Sequence, residues 1–354
     1  MMRSMPDDSP QTDRAAAGRR LIEMINGYQA SAAIGALARL GAADALADGP
    51  LVTAELAQRI GADEKTLVRL LGVADGWGLF TLQDDGRVVV TEWGELLRDD
   101  VPGSLKRLAI VSTEDWRWDS YGRLAHTLRT GEPGIVAAKG CRLWDYLAAH
   151  PDAAASFQQT MARVGTLRDQ AVAASLDLNG VGCLVDVGGG GGELLLALLA
   201  AHPRLRGIVF DLPGVIESAR EHVVEAGLSD RCVTIAGDFR ESVPQGGDAY
   251  LLSWVLHDWD DESALGILRN CRAAMREGHR LLVAEMVVPE QGQPGASGFE
   301  QLVRQTDLEM LAVVGGRERT AAEFGALLAA SGFTLAEVRP LEKLPFSVID
   351  GAAV

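Results

Sequence analysis

Five consecutive glycines, residues 188–192, separate a short β-branched run from a Leu/Ala-rich run. The pattern predicts a strand, a tight turn and a helix, and a ligand can lie against such a turn because glycine has no Cβ and tolerates positive φ angles. Asp186 ends the strand, and Glu193 replaces the third glycine of the dinucleotide motif Gly-x-Gly-x-x-Gly. A carboxylate there disfavours a pyrophosphate and favours a cation. The turn, with Gly188 and Gly190, is therefore predicted to hold S-adenosylmethionine (SAM), which carries a sulfonium and an ammonium group. A flexible turn without a ligand is the alternative.

Carboxylates also follow the next two predicted strands. Asp211 comes directly after the strand residues 208–210, where it can accept hydrogen bonds from two ribose hydroxyls. Because Pro213 follows, Asp211 could instead be a turn residue or a helix cap. Asp238 and Phe239 come after the third strand and could bind the adenine amino group and stack on the base. The alternative for this pair is a turn carboxylate and a core phenylalanine.

His257 follows the fourth predicted strand, and a lone histidine is more often structural than catalytic. Here it lies beside the predicted cofactor edge, where displacement of a methyl group from a sulfonium by an oxygen nucleophile requires a base. A phenol titrates near pKa ~10 and an imidazole near ~6.5, so a carboxylate on the second imidazole nitrogen would help by raising the basicity. Glu285 and Glu318 are the candidates for that carboxylate. Each has an alternative as an ordinary surface or capping residue.

The elements that must position these residues alternate along the chain as strand-like and helix-like segments from residue 184 to residue 285. Short links between such segments predict a mostly parallel sheet with helices on both faces, and ligands bind at the carboxyl ends of its strands. We therefore predict an α/β fold class with a Rossmann-like, doubly wound domain over residues 179–354. Asn179-Gly180 breaks the chain before the first core strand, which places the predicted domain boundary there.

A mainly helical domain is predicted over residues 15–178, after a polar, disordered leader over residues 1–14. Two short helices followed by strand-like segments at residues 75–82 and 87–91 are typical of a winged helix. Such a module often binds DNA, but its second helix has few exposed basic residues. A further helical stretch over residues 105–130 carries Trp116, which could line a substrate pocket or pack in the core.

The composition limits the possible partners. A net charge of −16 argues against nucleic acid and anionic membranes as partners. No apolar run reaches the ~18 residues that a membrane span needs, and the N-terminus lacks the apolar core of a signal peptide, so a cytoplasmic location is expected. Four widely spaced cysteines fit neither a zinc site nor a disulfide framework. No obvious carboxylate cluster indicates a metal.

The motifs in combination resemble those of the SAM-dependent small-molecule O-methyltransferases of the caffeic acid and acetylserotonin type, including bacterial enzymes that modify polyketides and other secondary metabolites. The resemblance covers about residues 21 to 346 and depends on five motifs, which begin at Leu184 (LVDVGGG), Val209 (VFDLP), Gly237 (GDF), Leu256 (LHDWDD) and Gly315 (GGRERT). It implies a helical N-terminal region that forms a homodimer and caps the partner's active site, and S-adenosyl-L-homocysteine as a product.

The resemblance also implies roles for individual residues, with His257 as base flanked by Glu285 and Glu318 and with the methyl donor held by Gly188, Asp211, Leu212, Asp238 and Phe239. Together with the residues themselves, this gives a predicted cofactor site of Asp186, Gly188, Gly190, Asp211, Leu212, Asp238, Phe239 and Ser253. The predicted substrate site comprises Trp116, Phe157, Met161, Trp254 and Asp258. Ser253 is a departure, since plant members have a lysine there, and this puts its contact with the cofactor in doubt.

These residues predict methylation of a phenolic or enolic hydroxyl of an aromatic secondary metabolite. Methylation at carbon, nitrogen or a carboxylate is the nearest alternative. Some relatives of this fold catalyse hydroxylation or pericyclic reactions instead, and His257 makes that less favoured here. A winged-helix regulator that binds SAM or DNA is an alternative of a different class, but it would need a basic recognition face that the sequence does not show.

Overall fold

The computed structural model describes residues 11–290 and 298–354, and these form two compact units, one ending at Asp115 and the other spanning Trp116–Val354. The boundary predicted between residues 178 and 179 lies inside the second unit. Of the predicted leader, residues 1–10 lie outside the described residues, and residues 11–14 form the start of the first helix.

The first unit is helical with a small antiparallel sheet. Its elements are α1 (Gln11–Ile25), α2 (Gly27–Leu40), α3 (Ala42–Ala45), β1 (Leu51–Val52), α4 (Thr53–Ile60), α5 (Glu64–Gly76), β2 (Phe80–Leu82), β3 (Arg87–Val90), α6 (Glu92–Glu95) and α7 (Lys106–Val111). The strand order is β1-β3-β2. Asp63 caps α5 by accepting from the Thr66 N–H at 2.9 Å. The predicted hairpin is present, but its first strand begins at Phe80 and not at Asp75, because Asp75 and Gly76 continue α5.

The second unit begins with four short helices and one long helix. They are α8 (Asp115–Tyr121), α9 (Leu124–Thr130), α10 (Gly134–Lys139), α11 (Leu143–Ala149) and the long α12 (Pro151–Ser175). The stretch predicted to be helical over residues 105–130 is thus three helices, α7, α8 and α9. Pro151 begins α12, where its missing N–H costs no intrahelical hydrogen bond.

The remaining elements form the α/β part of the second unit. They are β4 (Cys183–Val187), α13 (Glu193–Ala201), β5 (Arg206–Asp211), α14 (Pro213–Glu225), β6 (Cys232–Ala236), β7 (Ala249–Ser253), a 3₁₀ turn (Leu256–Asp258), α15 (Asp261–Ala274), β8 (Arg280–Val288), α16 (Glu300–Glu309), a π-helical turn (Met310–Val314), β9 (Arg319–Thr320), α17 (Ala321–Ala330), β10 (Phe333–Pro340) and β11 (Phe346–Ala353).

The sheet of this unit has the strand order β10-β11-β8-β7-β4-β5-β6, with β9 beside the end of β8. Strands β4 to β8 are parallel, whereas β11 is antiparallel to β8, and β10 is antiparallel to β11. The strand order reverses beside β4, because β5 pairs with one edge of it and β7 with the other. The predicted α/β class is confirmed. In such sheets the crevice at the reversal is the usual ligand site.

Both faces of the sheet are buried. Leu184, Val209 and Leu251 belong to one apolar layer. Their chain neighbours Val185, Phe210 and Leu252 belong to the other, as the two-residue period of a strand requires. Helices therefore cover both faces, and the polar groups at the carboxyl ends of the strands remain for the site. No described helix is both long and apolar enough to cross a membrane.

Candidate active site

The glycine-rich turn joins β4 to α13 and has the backbone that the sequence predicted. Gly188, Gly190 and Gly192 have φ angles of 73°, 58° and 81°, a region in which only glycine is unstrained. A Cβ on Gly188 would lie 2.9 Å from a Val255 methyl carbon and 3.3 Å from the Phe239 ring. The turn thus packs directly against the residues that follow two other strands of the sheet.

Two carboxylates lie near this turn, the buried Asp186 and the half-buried Asp211. Asp186 is 2% exposed, and burial together with the charges of Asp169 and Asp211 raises its pKa to about 8. Asp211 Oδ2 accepts from the Gly190 N–H at 2.8 Å and Oδ1 from the N–H of the exposed Leu212 at 2.6 Å. Burial also raises the pKa of Asp211, against the effect of these N–H donors. A cationic ligand would relieve the mutual repulsion of these carboxylates.

Asp238 and Phe239 follow β6, and side chains of nearby residues contact both of them. The Arg240 guanidinium Nε lies 3.0 Å from both oxygens of Asp238, and it holds the pKa of that carboxyl below its usual value. Arg240 also lies over the Trp259 ring, 5.4 Å from its centroid, and Phe239 meets the same ring edge-on at 5.8 Å. Asp238 as an adenine ligand stays a prediction, and Arg240 is a residue of this site that the sequence analysis missed.

His257 lies in the 3₁₀ turn that follows β7, 5% exposed. Its Nδ1 is 2.7 Å from Oε1 of Glu318, itself 2% exposed, and its Nε2 is 3.4 Å from Oδ1 of Asp258. Burial lowers the pKa of His257, but the charges of Glu318, Glu285 and Asp258 outweigh this effect and raise the pKa above that of a free imidazole. The two nitrogens are therefore distinct, with Nδ1 hydrogen-bonded to Glu318 and Nε2 facing Asp258 at the longer distance.

Glu285 contacts the backbone of the turn that carries His257. Its Oε1 accepts from the backbone N–H groups of Val255 and Leu256, at 2.9 and 2.8 Å, so it anchors the turn that carries His257. Burial raises its pKa to about 7. Of the two glutamates considered as imidazole partners, Glu318 is thus the one that is hydrogen-bonded to the ring.

The ligand atoms of His257, Glu285 and Glu318 lie within 4.8 Å of one another, a spacing that could hold a metal ion. One oxygen of each carboxylate is already engaged by an N–H donor. That no metal is needed stays a prediction.

A second loop, which follows the π-helical turn, fixes the His257 turn from the other side. Gly316 packs so tightly on the His257 carbonyl that a Cβ would overlap it, and the Arg317 N–H donates to the same carbonyl at 2.8 Å. Arg319, fully buried, donates to the carbonyls of Leu256 and Trp259, each at 2.8 Å. Arg319 and Gly316 were not predicted as site residues, although the motif starting at Gly315 contains both.

Trp254 lies directly after β7. Among the described residues it is the non-glycine residue whose φ angle is positive, at 59°. Such a conformation costs energy and is usually maintained at functional sites. Its ring stacks on His257 at 5.5 Å with an interplanar angle of 23°, and the Arg168 guanidinium lies 4.9 Å from the same ring centroid. Arg168, which also contacts Asp169 at 2.7 Å, was not predicted from the sequence.

Buried polar atoms without a hydrogen-bond partner concentrate around the His257 turn. In residues 11–290 and 298–354, nine buried side-chain nitrogen or oxygen atoms have no hydrogen-bond partner. Five of them belong to Ser253, Trp254, Trp259, Glu285 and Glu318. Buried polar groups are normally paired, so this concentration indicates a ligand site. SAM fits this site, because its ammonium and sulfonium groups match the carboxylates. Gly188 has no Cβ, so the space beside the Phe239 ring that a Cβ would fill stays open to the cofactor.

The predicted substrate residues fall into two groups. Trp254 and Asp258 adjoin His257. Trp116, 2% exposed, and Phe157 have ring centroids 6.4 Å apart, and the half-buried Met161 lies one turn further along α12. Their contact with a substrate stays a prediction.

Replacing Glu318 with Gln should change the pH profile of the reaction. Loss of the negative charge beside Nδ1 destabilises the imidazolium and lowers the pKa of His257, so the rise of kcat with pH should move down by about one unit or more. Because the base is also weaker, the plateau of kcat should fall about tenfold. Steady-state kinetics from pH 6 to 10 measures both, and the exposed Glu262→Gln is the matched control. An unmoved profile would show that Glu318 does not tune the base.

Comparison with known proteins agrees with this site. An O-methyltransferase domain model matches residues 121–334, and an O-methyltransferase dimerisation domain model matches residues 22–98. The chain therefore belongs to the O-methyltransferase family and is a SAM-dependent methyltransferase.

Three relatives illustrate the family. Phenazine O-methyltransferase PhzM from Lysobacter antibioticus is 39% identical over 90% of this chain and 92% of its own. The O-methyltransferase NcsB1 from neocarzinostatin biosynthesis, solved with SAM and 2-hydroxy-5-methyl naphthoic acid, has 36% identity and a TM-score of 0.81 over 92% of this chain and 96% of its own. Phenazine-1-carboxylate N-methyltransferase from Pseudomonas aeruginosa is 31% identical over 91% of this chain and 94% of its own.

Proposed function

We propose that the protein methylates a phenolic or enolic hydroxyl of a fused-ring aromatic secondary metabolite, with His257 as the general base. The observation that carries this proposal is the 2.7 Å hydrogen bond between His257 Nδ1 and Glu318. It commits one imidazole nitrogen to a carboxylate and leaves Nε2 to take a proton. Relatives that act on phenazine or bind a naphthoic acid support the fused-ring acceptor.

The residues of the chain have distinct tasks in this reaction. Bound SAM supplies the electrophilic methyl group. Gly188 and the Asp186 and Asp211 carboxylates bind and orient that cofactor, and Phe239 stacks beside it. His257 Nε2 accepts the hydroxyl proton. Because the neighbouring carboxylates raise the pKa of the imidazole towards that of a phenol, the transfer of this proton is more favourable than it would be to a free imidazole.

Replacing Asp211 with Ala should weaken SAM binding about tenfold. Asp211 is placed for the ribose hydroxyls, and its Oδ2 also holds the Gly190 N–H, so the change removes ligand contacts and loosens the turn. Titration calorimetry measures the loss for SAM and for S-adenosyl-L-homocysteine, which share the ribose. Glu217→Ala, on the exposed surface of α14, is the control. Undiminished affinity for both ligands would remove Asp211 from the site.

A homodimer is part of this proposal. Exposed apolar side chains cluster along α1 and the start of α2 in the first unit, at Leu21, Ile22, Met24, Ile25 and Tyr28. A contiguous apolar patch of this kind is typical of an interaction surface. The match to a dimerisation domain over residues 22–98 supports a second copy of the chain as the partner. Sedimentation velocity should give twice the mass of the chain, and a monomer at micromolar concentration would contradict it.

N-methylation is the second candidate, favoured by the 31% identical N-methyltransferase. The two are separated by incubating the protein with methyl-labelled SAM and matched acceptors, hydroxynaphthalenes and the corresponding aminonaphthalenes. Mass spectrometry and NMR of the products should place the label on oxygen. Label on nitrogen only, or on neither acceptor, would contradict the proposed function.

A further inference from the structure

A second group of unpaired polar atoms lies outside the His257 turn. The indole Nε1 atoms of Trp116 and Trp144 are buried and have no acceptor among residues 11–290 and 298–354. Trp116 is itself 2% exposed. An indole N–H can only donate, and a buried one normally has a partner. Two such donors in one neighbourhood indicate an acceptor that the described residues do not supply.

Both indoles surround one side chain. Phe157 meets the Trp144 ring edge-on, with centroids 5.9 Å apart, and meets the Trp116 ring at 6.4 Å and 65°. Tyr146 lies 6.4 Å from Trp116 on another side. We refer to Trp116, Trp144, Tyr146 and Phe157 as the aromatic cluster. It offers flat apolar surfaces and two hydrogen-bond donors, a combination suited to a planar ligand that carries an oxygen.

Helix α12 connects the aromatic cluster with the base. Phe157 and Arg168 are eleven positions apart on α12, which places them about 20° apart around the helix axis and about 16 Å apart along it. Arg168 lies over Trp254, and Trp254 stacks on His257. The face of α12 that carries Phe157 and Met161 therefore leads towards the His257 ring.

We infer that the Trp116 and Trp144 N–H groups donate to a carbonyl-type oxygen of the methyl acceptor, at the end of its ring system remote from the reacting hydroxyl. The acceptor class is then a hydroxylated fused-ring aromatic with a second oxygen, as in a quinone, ketone or carboxylate. This rests on the proposed function, because it takes the ligand of the cluster to be the methyl acceptor. It adds the requirement for the second oxygen.

The charge around the cluster favours a neutral carbonyl over a carboxylate. Arg117 contacts the Trp116 ring, 6.0 Å from its centroid, and it already forms a 2.8 Å ion pair with Glu309. Tyr121 donates to the second oxygen of Glu309 at 2.5 Å. With Arg117 so engaged, a ligand carboxylate would gain little charge compensation, whereas a ketone needs only the two N–H donors.

Binding of three probes in the presence of S-adenosyl-L-homocysteine tests this inference without any turnover. The probes are 2-naphthol, which lacks a second oxygen, 6-hydroxy-1,4-naphthoquinone and 7-hydroxy-1-naphthoate. Calorimetry should show the quinone binding at least about tenfold more tightly than 2-naphthol. Trp116→Phe and Trp144→Phe keep an aromatic ring and remove the N–H, so each should reduce that preference about 5- to 10-fold. Trp118→Phe, on the exposed side of α8, is the control.

A spectroscopic readout on the unaltered protein covers the case in which a variant fails to fold. In protein labelled with ¹⁵N-tryptophan, the quinone should shift the indole N–H signals of Trp116 and Trp144 downfield, and 2-naphthol should not. Tighter binding of the naphthoate than of the quinone would contradict the neutral carbonyl and would indicate that the second oxygen of the acceptor belongs to a carboxylate. Equal binding of all three probes, binding of none, or unshifted indole signals would overturn the inference. If the quinone binds as expected but is never methylated, the donor pair stands and the identification of its ligand with the methyl acceptor fails.

Discussion

Replacing His257 with Ala should lower kcat by about 10³ on the plateau of its pH profile, where the imidazole of the unaltered protein is unprotonated, because general bases contribute ~10²–10⁴ and no base of equal strength adjoins Nε2 among the described residues. Asp258 lies 3.4 Å from Nε2, but burial raises its pKa only to about 6, so it is a much weaker base than the imidazole. The affinity for SAM should stay within about threefold, since His257 is not among the predicted cofactor residues. Steady-state kinetics and calorimetry measure the two quantities.

The pH dependence of this variant distinguishes a base from a structural residue. Without His257 the acceptor must lose its proton to water, so the rate should rise as the phenol ionises and the deficit should narrow towards pH ~10. A residue that only supports the fold would leave a deficit independent of pH. Unchanged kcat on the plateau of the pH profile would contradict the proposed base and would indicate an acceptor that arrives already ionised, such as a carboxylate.

Replacing Gly316 with Ala should reduce kcat about 10²-fold, although residue 316 is not among the predicted ligand-binding residues. The new Cβ would overlap the His257 carbonyl and lie 2.6 Å from the Trp259 N, so the turn must move by about an ångström. A displacement of that size at a reacting group can cost ~10² in rate. Gly316 has no positive φ, so backbone strain is not the cause.

Two measurements make this second result decisive. Gly266→Ala, in α15 with open space around its Cβ position, should leave kcat unchanged. The SAM affinity of the Gly316 variant should remain near that of the unaltered protein, because the glycine-rich turn is elsewhere. Full activity with an unchanged melting temperature would show that the His257 turn is free to shift without loss.

Much of the catalytic domain could be predicted because its signals are local. β6 and β7 lie within the stretch from residue 184 to residue 285 where the sequence predicted alternating strands and helices, since short apolar runs bounded by turn residues define them. The glycine-rich turn was also predictable, because glycines between two apolar runs end a strand and permit the positive φ angles of a tight turn. His257 at the end of β7 followed from the rule that places ligands at the carboxyl ends of parallel strands.

The choice between Glu285 and Glu318 could not be made from the sequence. Both follow or lie in elements that end beside His257, and their tasks depend on which one reaches Nδ1 and which one reaches the backbone of the turn. That is decided by packing between segments some thirty and sixty residues apart. The role of Asp238 could not be decided from the sequence either. Its ion pair with Arg240 competes with a ligand contact, and no periodic sequence pattern reveals such a pair.

The unit boundary also depends on packing that the sequence does not show. The break at Asn179-Gly180 is a real turn before β4, and it predicted a domain boundary on local grounds. Helices α8 to α12 nevertheless belong to the same compact unit as the sheet. Helices that pack on a neighbouring domain carry the same apolar periodicity as helices that form their own core, so periodicity cannot separate the two.

The clamp of the His257 turn by Arg319 and Glu318 has a consequence for how the enzyme matures during synthesis. The glycine-rich turn and His257 leave the ribosome first, and Glu318 and Arg319 follow more than sixty positions after the groups they hold. A nascent or truncated chain that ends before residue 318 has its donor-binding segments but an unsupported imidazole. Competence to transfer a methyl group then arrives only after residues 318 and 319 have been synthesised.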